Sequence, residues 1–307
     1  MKKVVITGGL GFIFSHVSEY FLTAGWKVLV IDDLSEGSHP ELIDQWSKKF
    51  GDTFIFLKKD VSSMSVVDDI LKFNPEYIIH AAAISDVDHS IKFPKSTIYT
   101  NNLATINIFE AARKLDDLKK LLYVSTDEVY GECDHPKTEE DIIFPKNPYA
   151  LSKAFGSLMR IAYDNTYPEL KDKTVETRFC NVFGPRQDDR KVIPALKRAL
   201  QGGKPLELHN GGEGFRQFIH VNEIPRIVAL LLRNGNRTYN ITSGEGYTVR
   251  DLIGLAEEFS GKRVPVVAGK RSGMDIRYEM SSERIAEEFN WSPSRSFIDS
   301  FKEYLNG

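Results

Sequence analysis

The sequence has 307 residues, is 41% hydrophobic and sets 40 Lys plus Arg against 43 Asp plus Glu, for a formal net charge of -3. Such a chain can bury a sizeable core, and its near-balanced charge excludes the global electrostatic footprint of a nucleic-acid or anionic-membrane binder, so any anionic ligand is held locally. The two cysteines, Cys133 and Cys180, belong to no CxxC or Cys/His cluster, which argues against a disulfide framework or a metal site and for a reducing compartment, the cytoplasm.

The chain opens on Met1-Lys2-Lys3-Val4-Val5-Ile6-Thr7 and runs into a glycine cluster. That apolar run is too short for a signal peptide, and no later run is long enough to span a bilayer. Residues 3–7, 27–31, 53–57, 77–79, 121–125 and 175–179 read as strands, and helical periodicity covers 11–24, 63–73, 101–115 and 149–163. This alternation predicts an α/β fold with a parallel, doubly wound Rossmann sheet. After Asn181 the chain becomes richer in Gly, Pro and short elements, with helical patterns at 192–200, 224–232, 248–259 and 282–289. We therefore expect a dinucleotide-binding domain over 1–180 and a smaller, partly interleaved α/β substrate domain over 181–307.

Thr7-Gly8-Gly9-Leu10-Gly11-Phe12-Ile13-Phe14 stands between the first strand and the first helix. Glycines there let backbone N–H groups approach a pyrophosphate at a helix N-terminus, making Gly8, Gly11, Phe12 and Ile13 candidate cofactor contacts. Asp32 closes the second strand in Val30-Ile31-Asp32-Asp33. A carboxylate in that position accepts from the adenine-ribose hydroxyls and repels a 2′-phosphate, so NAD is expected over NADP; a turn-capping carboxylate is the alternative. Asp60 and Val61, after the third strand, are placed to meet the adenine. Phe14 breaks the pattern, because a small residue there normally lets the helix pack on the sheet. A ring costs on the order of 1–3 kcal/mol by overpacking unless it leaves that interface.

Tyr149-Ala150-Leu151-Ser152-Lys153 follows the helix-start signal Asn147-Pro148, and Tyr and Lys four apart share a helical face. A phenol, with a reference pKa of about 10, is a poor base near neutrality, and an adjacent ammonium favours its phenolate. Alone, the pair reads as an exposed Tyr and Lys; behind a dinucleotide loop it is a candidate catalytic pair. Ser125-Thr126-Asp127-Glu128-Val129-Tyr130-Gly131 lies just beyond the fifth strand, at the carboxyl edge where ligands of open α/β sheets bind. A solvated acidic turn is the plainer reading of the same residues.

Taken in order, Thr-Gly-Gly-x-Gly, Asp32, Ser-Thr-Asp-Glu-Val-Tyr-Gly and Tyr-x-x-x-Lys resemble the extended short-chain dehydrogenase/reductases, from Lys3 to about Trp291. The Asp127-Glu128 pair resembles their nucleoside-diphosphate-glucose 4,6-dehydratases, of the dTDP- or UDP-glucose type. The resemblance implies that Tyr149 and Thr126 handle the sugar 4-hydroxyl, that Lys153 tunes Tyr149 and holds the nicotinamide ribose, that Glu128 removes the C5 proton, and that Asp127 protonates the departing C6 oxygen. It further implies that Ala82, Ala83 and Asn101 line the cofactor cleft, that Ser85, Asn181, Arg216, Asn240 and Arg271 contact a nucleotide-sugar substrate, and that the enzyme is a homodimer. Met274 and Asp86 stand where the glucose dehydratases tend to have His, which leaves base and sugar open. A 4-epimerase or decarboxylase on the same scaffold is the alternative, and Phe14 motivates a third reading, a non-catalytic NAD-binding sensor or scaffold.

Overall fold

The computed structural model describes residues 1–35, 37–269 and 276–307. Its central sheet is built from β1 (Lys3–Thr7), β2 (Lys27–Asp32), β3 (Phe54–Lys58), β4 (Tyr77–His80), β5 (Lys120–Thr126), β6 (Thr174–Phe179) and a late strand, Thr238–Ile241. Three further strands, β7 (Asn181–Phe183), β8 (Leu206–His209) and β9 (Phe215–His220), precede that late strand, which is therefore β10; β11 (Gly246–Thr248) and β12 (Val266–Gly269) follow it. The helices are α1 (Phe12–Thr23), α2 (Glu41–Phe50), α3 (Val66–Phe73), α4 (Val87–Lys92), α5 (Pro94–Arg113), α6 (Pro148–Thr166), α7 (Val192–Leu200), α8 (Ile224–Asn234), α9 (Val249–Ser260), α10 (Glu283–Phe289) and α11 (Phe297–Asn306).

The central sheet runs β10-β6-β5-β4-β1-β2-β3 and every neighbouring pair is parallel. Both faces are covered, as strands apolar on successive residues require. Val4 and Ile6 of β1 join a core with α1, α2 and α8, through Phe21, Trp46 and Ile227. Val5, between them, joins the opposite core with α3, α5 and α6, through Ile70, Phe109 and Met159. A third core, around Phe183, Leu196, Phe218, Leu252, Phe297 and Phe301, belongs to the second half. There β9 sits between β11 and β7, and β8 pairs with β12.

The strand and helix expectations of the first half hold to within a few residues, except that the helix expected from 101 starts at Pro94, with α4 just before it. The elements outside the expected set include α2, α11, β10 and the five short strands β7, β8, β9, β11 and β12. β10 brings the second half of the chain back to the central sheet, pairing Thr238–Ile241 with Glu176–Phe179.

Helix α6, which carries Tyr149 and Lys153, is docked closely on β5. A Cβ added to Gly156 would lie 2.2 Å from the Tyr123 hydroxyl, so only glycine admits the tyrosine. That hydroxyl donates to the Lys153 carbonyl at 3.0 Å. The helix register, and with it the position of both candidate catalytic side chains, is fixed by this contact.

Candidate active site

The turn from β1 into α1 is tight. Gly8 has φ of +67°, and a Cβ there would lie 2.9 Å from the Ala82 backbone, so the glycine loop rests directly on the loop after β4. Gly11 is the extended N-cap residue of α1, which leaves Phe12 and Ile13 at the open, electropositive end of the helix. Asp32 is buried. Its Oδ2 accepts from the Leu10 N–H at 3.0 Å, and its Oδ1 accepts from the Leu34 N–H at 3.0 Å and the Ser38 hydroxyl at 2.8 Å. A carboxylate has about four acceptor positions, so one on Oδ2 remains for a ribose hydroxyl. These residues fit a dinucleotide.

Phe14 does not disrupt this end. Its ring is 5% exposed and belongs to the core shared with α8, including Ile224, Ile227 and Val228. The ring is packed as core, and α1 runs unbroken from Phe12 to Thr23. Asp60 is exposed and its Oδ1 accepts from the Ser62 N–H at 2.8 Å, while the carbonyl of buried Val61 accepts from Asn107 at 2.9 Å. Ala82 and Ala83 are half-buried in the loop after β4. Asn101 is a positioning residue: its amide oxygen accepts from the Ile84 N–H at 2.8 Å, and its NH₂ donates to the Ile84 carbonyl and the Ser152 hydroxyl at 3.1 and 2.9 Å. It ties the loop after β4 to α6.

At the carboxyl end of β5 the acidic pair divides into two environments. Asp127 is 6% exposed, whereas Glu128 is half-buried and lines the cleft. Burial, reinforced by the Glu128 charge and partly offset by Arg216, pushes the Asp127 carboxyl up to about 7. Thr126 donates to Asp127 Oδ1 at 3.0 Å and lies close enough to Tyr149 to influence its hydroxyl. Glu128 Oε2 accepts from the Asn147 amide at 2.7 Å. Asn147 also caps α6, its Oδ1 accepting from the Ala150 N–H at 2.8 Å. Sequence reasoning used Asn147 only as a helix-start signal; its second task, aiming Glu128, follows from the tertiary fold.

The expected link between Lys153 and Tyr149 is corrected. Lys153 Nζ donates to the Val124 carbonyl at 2.8 Å and lies 5.3 Å from the centre of the Tyr123 ring. Burial lowers its pKa to about 8, against the opposing pull of Glu176. Tyr149 is held well above the ordinary phenol range by burial and then by the charges of Glu128 and Asp127. The Lys153 ammonium is turned to the strand carbonyl, and the charges that act on Tyr149 are those of the two carboxylates.

A cleft of about 780 Å³ opens beside this cluster, lined by Asp88, Glu128, Asn147, Asn181 and five cations, Arg190, Lys191, Arg198, Lys204 and Arg216. Lys191, Arg198 and Lys204 carried no motif in the sequence; only the packing of α7 and β8 brings them together. Arg216 stands on β9 with its guanidinium 4.3 Å from the Tyr278 ring centre, and its charge reaches Asp127. Asn181 is exposed to the cleft, and Ser85 is exposed on the loop leading to cleft-lining Val87 and Asp88. Asn240 does not reach it. It is fully buried on β10, accepting from the Tyr130 hydroxyl at 2.9 Å and donating to the Lys137 carbonyl at 3.0 Å. Arg271 and Met274 lie outside the described residues.

Comparison with known proteins agrees with this geometry. The chain is 33% identical to the low-salt glycan biosynthesis protein Agl12 of Haloferax volcanii, over 96% of this chain and 95% of that one. Among solved structures, DesIV, the dTDP-glucose 4,6-dehydratase of Streptomyces venezuelae with NAD bound, is 30% identical with a TM-score of 0.91, covering 99% of this chain and 96% of its own. The UDP-glucose 4-epimerase of Thermus thermophilus in complex with NAD is 29% identical with a TM-score of 0.88, over 99% and 98%. The model of the NAD dependent epimerase/dehydratase family matches residues 4–242. With the glycine loop, Asp32 and the Tyr149 helix all in place, the chain belongs to the NAD-dependent epimerase/dehydratase family, and NAD is its cofactor.

Proposed function

We propose that this protein is a nucleotide-sugar 4,6-dehydratase, converting a nucleoside-diphosphate hexose into its 4-keto-6-deoxy derivative. The observation that carries the reading is the acidic pair: a buried Asp127, protonated in a fair share of molecules near neutrality, beside cleft-lining Glu128. Elimination across C5 and C6 needs one acid and one base at the same time, and two carboxylates in unlike environments supply them. Epimerisation at C4 needs neither.

Tyr149, assisted by Thr126, takes the proton of the C4 hydroxyl. Bound NAD would supply the acceptor for the C4 hydride and the source of the hydride for C6, and the positive charge of its oxidised ring would offset the two carboxylates around Tyr149. A ketone at C4 acidifies C5, whose proton Glu128 removes under the aim of Asn147. Asp127 gives its proton to the C6 hydroxyl, which leaves as water, and Glu128 then returns its proton to C5. Gly8, Gly11, Phe12, Ile13, Asp32 and Lys153 hold the dinucleotide, with Asp60, Val61, Ala82 and Ala83 beside it, and Asn181, Arg216 and the other cleft cations take the diphosphate, as guanidinium and ammonium groups suit phosphate oxygens.

The reading is tested by incubating the protein with NAD and a panel of UDP-, dTDP- and GDP-hexoses and N-acetylhexosamines. Loss of one water without net reduction of NAD supports it and names the substrate. The likeness to a 4-epimerase supports a second reading, whose product has unchanged mass. Glycan assembly, the process in the name of the Haloferax relative, is a natural consumer of a deoxy sugar. The two free cysteines and the lack, among the described residues, of a helix able to cross a membrane fit a cytoplasmic enzyme.

We also propose a homodimer through α5 and α6. Their outer faces leave Tyr99, Leu151, Leu158 and Ile161 exposed at 64%, 49%, 58% and 46%. The residues 151, 158 and 161 recur at helical spacing, making one apolar stripe on α6. Light scattering is expected to give twice the 34.8 kDa chain mass, and Leu158→Glu to give the monomer.

A further inference from the structure

His80 ends β4, 1% exposed, beneath the glycine loop. It belongs to no charged cluster, and the reaction above does not use it. Its ring nitrogens meet two hydroxyls: Nδ1 lies 2.9 Å from Thr7 Oγ1, and Nε2 lies 3.2 Å from Thr105 Oγ1.

The proton positions follow from counting. A threonine hydroxyl donates one hydrogen bond and accepts two. Thr7 Oγ1 already accepts from the Ala81 N–H at 3.1 Å and the Ala82 N–H at 3.2 Å, so both lone pairs are taken and its proton has to go to His80. Nδ1 is therefore an acceptor and carries no hydrogen. The ring's one N–H is on Nε2 and points at Thr105, whose own proton goes to the Asn101 carbonyl at 2.9 Å. A second ring proton would face the Thr7 proton, at a ring that is 1% exposed. Burial and the nearby Lys153 charge oppose it too, and hold the imidazole pKa down at about 3.

What this clamp holds is functional. Ala81 and Ala82 begin the loop on which Gly8 rests, with 2.9 Å between the Ala82 backbone and the place a Gly8 Cβ would occupy. The other end of the loop, Ile84, is held by Asn101, which also takes the Ser152 hydroxyl of α6. Buried polar chains of this kind are well ordered when every member is satisfied, as here.

We propose that His80 is a positioning residue for NAD binding: as a neutral imidazole protonated on Nε2, it locks the Thr7 hydroxyl onto Ala81 and Ala82 and so sets the gap between the glycine loop and the β4 loop, while Thr105 and Asn101 extend the same order to Ser152 on the catalytic helix. The dinucleotide groove and α6 are thereby joined through one ring.

Two measurements test this. In ¹⁵N-histidine-labelled protein, long-range ¹H–¹⁵N correlation is expected to show His80 with a bare Nδ1 and a protonated Nε2 that do not change between about pH 5 and 9; a protonated Nδ1, or titration in that range, overturns the assignment. His80→Leu and Thr7→Val each remove the clamp, and each is expected to weaken NAD affinity about tenfold, the loss of roughly one hydrogen bond. Because they break one device, the double variant is expected to bind NAD no more weakly than the worse single. Unchanged NAD affinity with only a lowered Tm, or fully additive losses, would overturn the positioning role. The NMR arm uses the unaltered protein and stands even if a variant fails to fold.

Discussion

Two carboxylates, one in β6 and one just past the end of the neighbouring β5, are almost completely removed from water, and their surroundings treat them in opposite ways. Glu176, in β6, is 0% exposed. Burial alone would raise its pKa, yet Arg178 and Arg160, with the Ser157 hydroxyl, hold it below the ordinary value. The Arg178 Nε is 2.9 Å away, Ser157 2.6 Å and Thr238 3.1 Å. Asp127, just past the end of β5, has one hydroxyl and the more distant Arg216 on its side, with a second carboxylate against it, and it is raised to about 7. Burial raises both, so the difference between them comes from the groups that oppose it. A buried acid fully supplied with donors is part of the scaffold, whereas one left short of them beside a cleft is available to exchange a proton.

The largest expected effect that could break this contrast is on the chemistry of Asp127. Asp127→Asn keeps the shape and removes the acid, and water loss from the substrate is expected to slow about 10²–10⁴-fold, the usual worth of a positioned acid. Next comes the scaffold. Glu176→Ala strands two buried guanidinium groups and is expected to cost about 3–5 kcal/mol in denaturant unfolding; a loss below about 1 kcal/mol would put Glu176 in the same class as Asp127.

Stability against pH separates the two acids by sign. Asp127 binds its proton more tightly folded than unfolded, so its contribution is present below about pH 4 and is lost as pH rises through about 7. Asp127→Asn is therefore expected to match the parent at pH 4 and to exceed it at pH 8, by up to about 4 kcal/mol. Glu176, with its pKa lowered, contributes above the unfolded carboxylate range and loses its contribution as pH falls through its folded value. Smallest is the slope of the pH–rate profile: dehydration is expected to fall about tenfold per unit above pH 7 as Asp127 loses its proton, and a flat profile to pH 9 would assign the acid elsewhere.

Much of this contrast was only half visible in the sequence. The strands, the glycine loop and the acidic turn were legible because short continuous apolar runs and special residues at fixed offsets announce themselves locally. β10 was not, since Thr238-Tyr239-Asn240-Ile241 is short and half polar. Its polar residues exist to satisfy β6 and its surroundings: Thr238 donates to Glu176, and Asn240 takes Tyr130, whose hydroxyl also accepts from Arg178. Read without that partner, Asn240 looked like a ligand contact. Lys153 was likewise placed on the correct helical face while its ammonium partner, the Val124 carbonyl, is a backbone atom that no side-chain pattern announces. Asn147 joined the site for the same reason, through a contact across the fold to Glu128.

The most direct test of the central claim is a single-turnover comparison of the parent and Asp127→Asn with NAD and the best nucleotide hexose, followed by product mass and by absorbance of reduced nicotinamide. The parent is expected to lose one water with no lasting reduction of NAD, and the variant to hold reduced NAD while the sugar keeps its water. Water loss at the parent rate from Asp127→Asn, or a parent product of unchanged mass, would contradict the account.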